Sequence, residues 1–171
     1  MFSSIASGTI HGIRSQLICV EVDVSKGLPC FQMVGLPNSE VKEARERVKV
    51  ALKNAGISLP PMCININLSP ADLRKEGSLL DLPVAVGIMA ALGYLPQENV
   101  EGILIIGELG LNGEVKPVKG VLPIVKEAQE QGIGCCILPK ELSYRASRLS
   151  AFPISGRRCL FCRPAYRNGA G

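Results

Sequence analysis

The chain is poor in the residues and motifs that usually carry chemistry. It has one histidine, His11, which follows a strand-like run and precedes Gly12, so it reads as a turn residue. With this one histidine in a turn, no serine has a histidine partner for catalysis. There is no G-x-x-x-x-G-K-[ST] phosphate loop, no G-x-G-x-x-G after a strand and no H-E-x-x-H, which removes the commonest nucleotide and zinc-hydrolase signatures. The spacing Gly107-x-x-Gly110-x-x-Gly113 belongs to a hairpin. Long apolar runs are missing too: Leu82 to Pro96 is nearly uncharged, but it is shorter than the ~20 residues that span a bilayer and contains two prolines and two glycines. Residues 1–15 lack a basic segment followed by an apolar core, so no secretory signal is expected and the expected location is the cytoplasm, with no membrane partner.

The seven cysteines read mostly as small hydrophobes. Cys19, Cys30, Cys63, Cys135 and Cys136 lie in or beside apolar strand-like runs, where free cysteine packs well. Cys159 and Cys162 have C-x-x-C spacing, but a zinc ribbon needs a second pair and none occurs. No metal site is therefore expected.

With 171 residues and 47% hydrophobic content, one substantial core fits, in a single domain of about 100–150 residues. The net charge of +4 is unevenly spread. Residues 142–171 contain Arg145, Arg148, Arg157, Arg158, Arg163 and Arg167 and no acid, leaving 13 basic against 15 acidic groups elsewhere. The expected division is a domain over 1–140 and, over 141–171, an arginine- and cysteine-rich tail that is disordered or not the natural continuation. An arginine-only tail is also compatible with phosphate neutralisation.

Alternation of period two predicts strands over Phe2–Ile10 and Gln16–Val24 about a turn at His11–Arg14, and a third over Cys30–Val34, the three forming an antiparallel opening. Asn38 or Ser39 caps a helix from about Glu40 to Ala55, with Val41, Ala44, Val48, Ala51, Leu52 and Ala55 at spacings of three and four. Its other face, which includes Arg47 at i,i+4 from Glu43, reads as solvated. Further on, Gly102–Leu111 and Glu114–Val118 flank Asn112-Gly113, a type I′ hairpin signal. An amphipathic helix over Gly120–Gln131 and a strand over Gly134–Leu138 follow. The sum is an α+β fold, a mixed sheet with helices packed on one side.

At the centre lies Ser69 to Gly93. The strand Cys63–Leu68 ends at Pro70, the charged turn Asp72–Gly77 follows, and Leu79–Leu92 is apolar on nearly every side, hence a buried helix. Two caps are open: Ser78 with Asp81 reaching back, or Asp81 itself, which places Pro83 in the first turn where its missing N–H costs nothing. The turn's cations, Arg74 and Lys75, are candidates for phosphate or neighbouring-subunit contact, with Lys116 and Lys119 behind them. Without a usable histidine, the one enzymatic option is a Ser-Lys dyad.

Asn67-Leu68-Ser69-Pro70-Ala71-Asp72-Leu73-Arg74-Lys75-Glu76-Gly77-Ser78, then Asp81-Leu82-Pro83, then Gly107-Glu108-Leu109-x-Leu111-x-Gly113-x-Val115-x-Pro117-Val118-x-Gly120 resembles the N-terminal domain of the Mg-chelatase-like AAA+ ATPases, the ComM/YifB family. The resemblance covers about residues 1–140. It implies a fold like domain 2 of a small-subunit ribosomal protein, shared with the Lon protease domain and the C-terminal domain of RadA. It also implies a hexameric ATPase that acts as a helicase in DNA processing, promoting branch migration during natural transformation. The implied partners are DNA and ring-forming ATPase subunits, with no small-molecule substrate evident. ATP and magnesium are expected only with an ATPase module, whose motifs this chain lacks, so ATP hydrolysis by this chain alone is not expected. After Leu138 the sequence departs from the family pattern and has the look of a changed reading frame. The dyad positions of Lon-like proteases carry over onto Leu79 and Ile124, which cannot act as nucleophile or base. A shifted dyad would use Ser78 with Lys119 or Lys126.

Overall fold

The computed structural model describes residues 1–139 and the strand Leu149–Pro153. The chain runs β1 (Phe2–His11), β2 (Arg14–Ser25), β3 (Cys30–Val34), α1 (Ser39–Asn54), β4 (Cys63–Ser69) and α2 (Asp81–Ala91). A 3₁₀ turn at Gln97–Asn99 leads into β5 (Ile103–Ile105), β6 (Glu108–Leu109), β7 (Val115–Lys116), α3 (Val121–Glu130), β8 (Cys135–Pro139) and β9 (Leu149–Pro153). Seven strands make one mixed sheet in the order β3-β4-β2-β1-β5-β8-β9, and β6 and β7 pair separately. The α+β class expected from the sequence is the one observed.

β1 and β2 pair antiparallel over their whole length, from Phe2 opposite Asp23 to His11 opposite Arg14. The predicted third antiparallel strand is corrected: β3 does not join this hairpin but lies outside β4 and parallel to it, Cys30 opposite Cys63. α1 is the crossover between them, and packing its Val41, Ala44, Val48 and Ala51 onto the sheet is what carries the chain across. Cys30 and Cys63 are not the free hydrophobes expected. Placed in register on neighbouring strands, they form a disulfide with Cα atoms 4.4 Å apart, and Cys135 is also disulfide-bonded.

Alternation along β2 puts Ile18, Val20, Val22 and Val24 into the main core with α1 and α2. The one-sided placement of helices holds for α1 and α2 only. Leu104, Ile106, Cys136 and Leu138 point to the opposite face, where Val121, Ile124 and Ala128 of α3 cover them. Gly8, next to the core-facing Ile5 and Ser7 on β1, lets Ile124 approach the backbone from that second face.

The Asn112-Gly113 hairpin is present but shorter than predicted, since β5 belongs to the main sheet and only β6 and β7 form the ladder. Its turn is not type I′. Gly113 is left-handed at φ 82°, while Asn112 is not; the Gly113 N–H bonds Gly110 C=O at 2.9 Å and the Gly110 N–H bonds Glu114 C=O at 2.8 Å, the pattern of a type I turn followed by a left-handed glycine. β9, inside the expected tail, pairs antiparallel with β8. The tail arginines and the Cys159, Cys162 pair lie outside the described residues. Among the described residues no helix is long and apolar enough to cross a membrane.

Candidate functional site

The segment between β4 and α2 is held by backbone from a distant part of the chain. The Lys75 N–H donates to Leu36 C=O at 3.2 Å, the Asn38 N–H donates to Lys75 C=O at 3.1 Å, and Gly77 N–H reaches the Glu40 carboxylate at 3.1 Å. Asn38 also caps α1, its side-chain oxygen accepting from Val41 N–H at 2.9 Å. The loop and the start of α1 are therefore one unit.

That anchoring corrects the reading of Lys75. Its side chain is fully buried and its ammonium donates to Pro70 C=O across the loop, so it cannot double as a surface contact for phosphate. Burial holds its ammonium below the ordinary lysine value, against the opposing pull of Asp72. Arg74, one residue earlier, points outward and is 65% exposed, with Nε 3.4 Å from Glu76. One of the two predicted loop cations is thus available to a partner.

Neither Ser78 nor Asp81 caps α2 through its side chain, correcting both predicted caps. The reason lies in the orphan donors of the first turn. Leu82 N–H is taken by Gly107 C=O at 2.9 Å, Pro83 has no N–H, and Val84 N–H bonds Leu80 C=O at 3.1 Å, so a side-chain cap has nothing to satisfy. Pro83 does sit in the first turn. Freed from capping, both side chains turn towards the hairpin: the Ser78 hydroxyl donates to the Glu108 carboxylate, and Asp81 accepts from Leu109 N–H at 3.2 Å.

Asp81 is completely buried, and a buried carboxylate needs a cation. Arg47 of α1 supplies it with a two-pronged contact, Nε to Oδ2 at 2.7 Å and Nη2 to Oδ1 at 3.0 Å. The hydrogen bond that Arg47 donates to Asp81 raises the Arg47 value above its ordinary one, with burial opposing. Burial pushes the Asp81 carboxyl upward, while Arg47 and the Leu109 N–H pull it back down. By local sequence alone Arg47 reads as solvated. The available signal was its helical position, three residues after Ala44 and four before Ala51, on the flank of the apolar stripe. Nothing in the local sequence marks Glu108, a hairpin carboxylate, as the partner of Ser78.

Ser78, Glu108 and Lys119 line one cavity of about 340 Å³, with Leu79 in its wall. Lys116 is exposed and stands opposite Glu108 in the hairpin ladder. The structure thus gathers Ser78, Lys119 and Lys116 around Glu108. Lys126 is not part of this group: it is 78% exposed and lies 3.9 Å from Glu130. Leu79 and Ile124, the positions implied for a Lon-type dyad, are both buried in the second core.

A family model described as subunit ChlI of Mg-chelatase matches residues 20–142. The competence protein ComM of Haemophilus influenzae is 44% identical over 119 residues, 70% of this chain and 23% of that protein. The uncharacterized protein YifB of Salmonella typhimurium is 46% identical over 121 residues, 71% of this chain and 24% of that protein. Lon protease 2 of Bacillus subtilis is 33% identical over 103 residues, 60% of this chain and 18% of that protein. The chain spans less than a third of the length of the curated relatives it matches. By these matches the chain belongs to the Mg-chelatase subunit ChlI family, as a ComM- and YifB-like member with a Lon-protease-like domain.

Proposed function

We propose that the domain is a non-catalytic accessory part of a DNA-processing, ring-forming ATPase acting in natural transformation, working in the cytoplasm. The observation that carries the non-catalytic reading is the partner of the Ser78 hydroxyl, which donates its hydrogen bond to the Glu108 carboxylate and not to a lysine amine. A Ser-Lys dyad needs that hydroxyl to donate to a neutral lysine amine, so this contact leaves the dyad unformed. The competence name of the Haemophilus relative supports the DNA reading. ATP and magnesium belong, in this proposal, to an ATPase module and not to the Ser78 cavity.

Arg74, Lys116 and Lys119 are the contacts proposed for DNA phosphate or for a neighbouring subunit; each is exposed. The test is binding to a single-stranded oligonucleotide across a salt series. Replacing all three with alanine should weaken binding and flatten its salt slope by about 2–3, one phosphate per lost cation. Unchanged salt-dependent binding rejects the assignment, and no affinity at low salt for either protein leaves a protein-interaction module.

A second reading, a serine hydrolase using Ser78, is favoured by the presence of Lys119 in the same cavity. A fluorophosphonate probe separates the two. Labelling of the wild type that disappears in Ser78→Ala would establish the hydrolase, and no labelling rejects it.

A further inference from the structure

The outer edge of the sheet at β3 lies beside an apolar cleft that the site above does not use. We propose that β3 and this cleft together bind an extended peptide segment of a partner protein, one bearing a carboxylate side chain between apolar residues on the same face.

Two independent features converge. β3 is the terminal strand of the main sheet, with no described strand beyond it. Its Cys30 N–H is spent on Met62 C=O of the chain entering β4, so the alternation of strand backbone turns the N–H and C=O of Phe31 and Met33 outward. Leu28 and Val34, at its two ends, are 88% and 56% exposed. Such an edge is a template for one more strand.

The cleft occupies about 520 Å³ between β3, α1 and the loop before β4. Phe31, Ile57, Leu59 and Met62 form its apolar walls, and Lys49 and Lys53, one turn apart on α1, supply its charge. No carboxylate lines it. Lys49 stands 5.0 Å from the centre of the Phe31 ring, and its nearest acid, Glu46 at 3.6 Å, is 62% exposed and lies outside the cleft. Lys53 makes no ion pair among the described residues. Because side chains of an added strand alternate, every second one would enter this cleft while the backbone pairs with β3. Apolar groups there meet the walls, and a carboxylate meets the two ammonium groups.

A second copy of this chain does not fit the description as well. β3 itself reads Cys-Phe-Gln-Met-Val and brings no acid to a β3–β3 pairing.

The probe is the peptide acetyl-Thr-Leu-Thr-Glu-Thr-Phe-Thr-amide, which places leucine, glutamate and phenylalanine on one face. It is titrated into the full chain and followed by amide chemical shifts. The expected result is saturable binding that perturbs β3 and the 49–53 turn of α1. Affinity should fall at least ten-fold for Lys49→Glu combined with Lys53→Glu, for a peptide with lysine in place of glutamate, and for a peptide N-methylated along its pairing edge. Both lysines are surface groups, and circular dichroism of the double variant verifies that it folds. Equal binding by the lysine peptide or by the charge-reversed protein overturns the carboxylate assignment. Equal binding by the N-methylated peptide overturns strand addition and leaves a small-molecule cleft. Concentration-dependent shifts of β3 without peptide overturn the proposal in favour of self-association, and no saturation at millimolar peptide rejects it outright.

Discussion

Arg47 and Asp81 meet across 34 residues of sequence in a two-pronged ion pair, Nε to Oδ2 at 2.7 Å, that joins α1 to the first residue of α2 and, through Leu109 N–H, to the hairpin. The two partners are unequally placed. Asp81 is completely buried, whereas the Arg47 side chain is 24% exposed and has Glu43 3.8 Å away as a second acid.

The asymmetry sets the outcome of breaking the pair. Arg47→Met strands a buried carboxylate and should cost about 3–5 kcal/mol, the range for orphaning a buried charge. Asp81→Leu leaves a cation that can still reach water and Glu43, and should cost less. The larger loss is also pH-dependent. Without Arg47 nothing but Leu109 N–H opposes burial, so the Asp81 carboxyl rises further and becomes neutral on acidification. A carboxyl raised in the folded state favours folding below the unfolded value and loses that contribution as pH rises through the folded value. Urea unfolding of Arg47→Met should therefore show its deficit shrinking towards acid pH. A deficit that is constant with pH, or larger for Asp81→Leu, would mean the carboxylate is not stranded.

α3 on the second face of the sheet rests on Gly8. A Cβ at that position would lie inside the van der Waals surface of Ile124 Cγ2. Gly8→Ala should destabilise by about 1–3 kcal/mol, as overpacking does. Ile124→Ala should by itself cost about 2–5 kcal/mol, as a core truncation. Because each change relieves the other, the double variant should be clearly more stable than the sum of the single losses predicts. Additive losses by thermal denaturation would place Ile124 away from β1.

Periodicity located β1, β2, α1 and α3 because each buries one face, and burying one face is what a repeat of two or of three and four encodes. It does not encode which strand lies alongside. β3 follows β2 in sequence and was expected to pair with it, yet its neighbour is β4, reached only after α1, and the Cys30–Cys63 bond depends on that register. Charge patterns are equally local. Arg47 and Lys75 stand in charged stretches that look solvated, but one is drawn in by a carboxylate 34 residues away and the other is covered by residues 36–38 and Pro70. A local pattern cannot register a partner supplied by another element. The motif running from Asn67 to Gly120 carried the family correctly because it spans the very contacts that local patterns miss, Gly107 with Leu82 and Glu108 with Ser78.

The buried Lys75 ammonium gives the most direct test of the loop. Burial depresses its value below the ordinary 10.5, with Asp72 acting in the other direction. Between the folded and unfolded values the unfolded chain binds more protons, so this site makes stability rise with pH across that interval and level off above 10.5. Lys75→Met keeps the stem and removes the titrating group from both states. The measurement is the unfolding free energy of the wild type relative to Lys75→Met, from urea titrations at about pH 8 and about pH 10, and the expected result is a shift in the wild type's favour at the higher pH. A difference that does not move with pH would mean that Lys75 titrates as it does in water, and the loop would then have to open to solvent at Pro70.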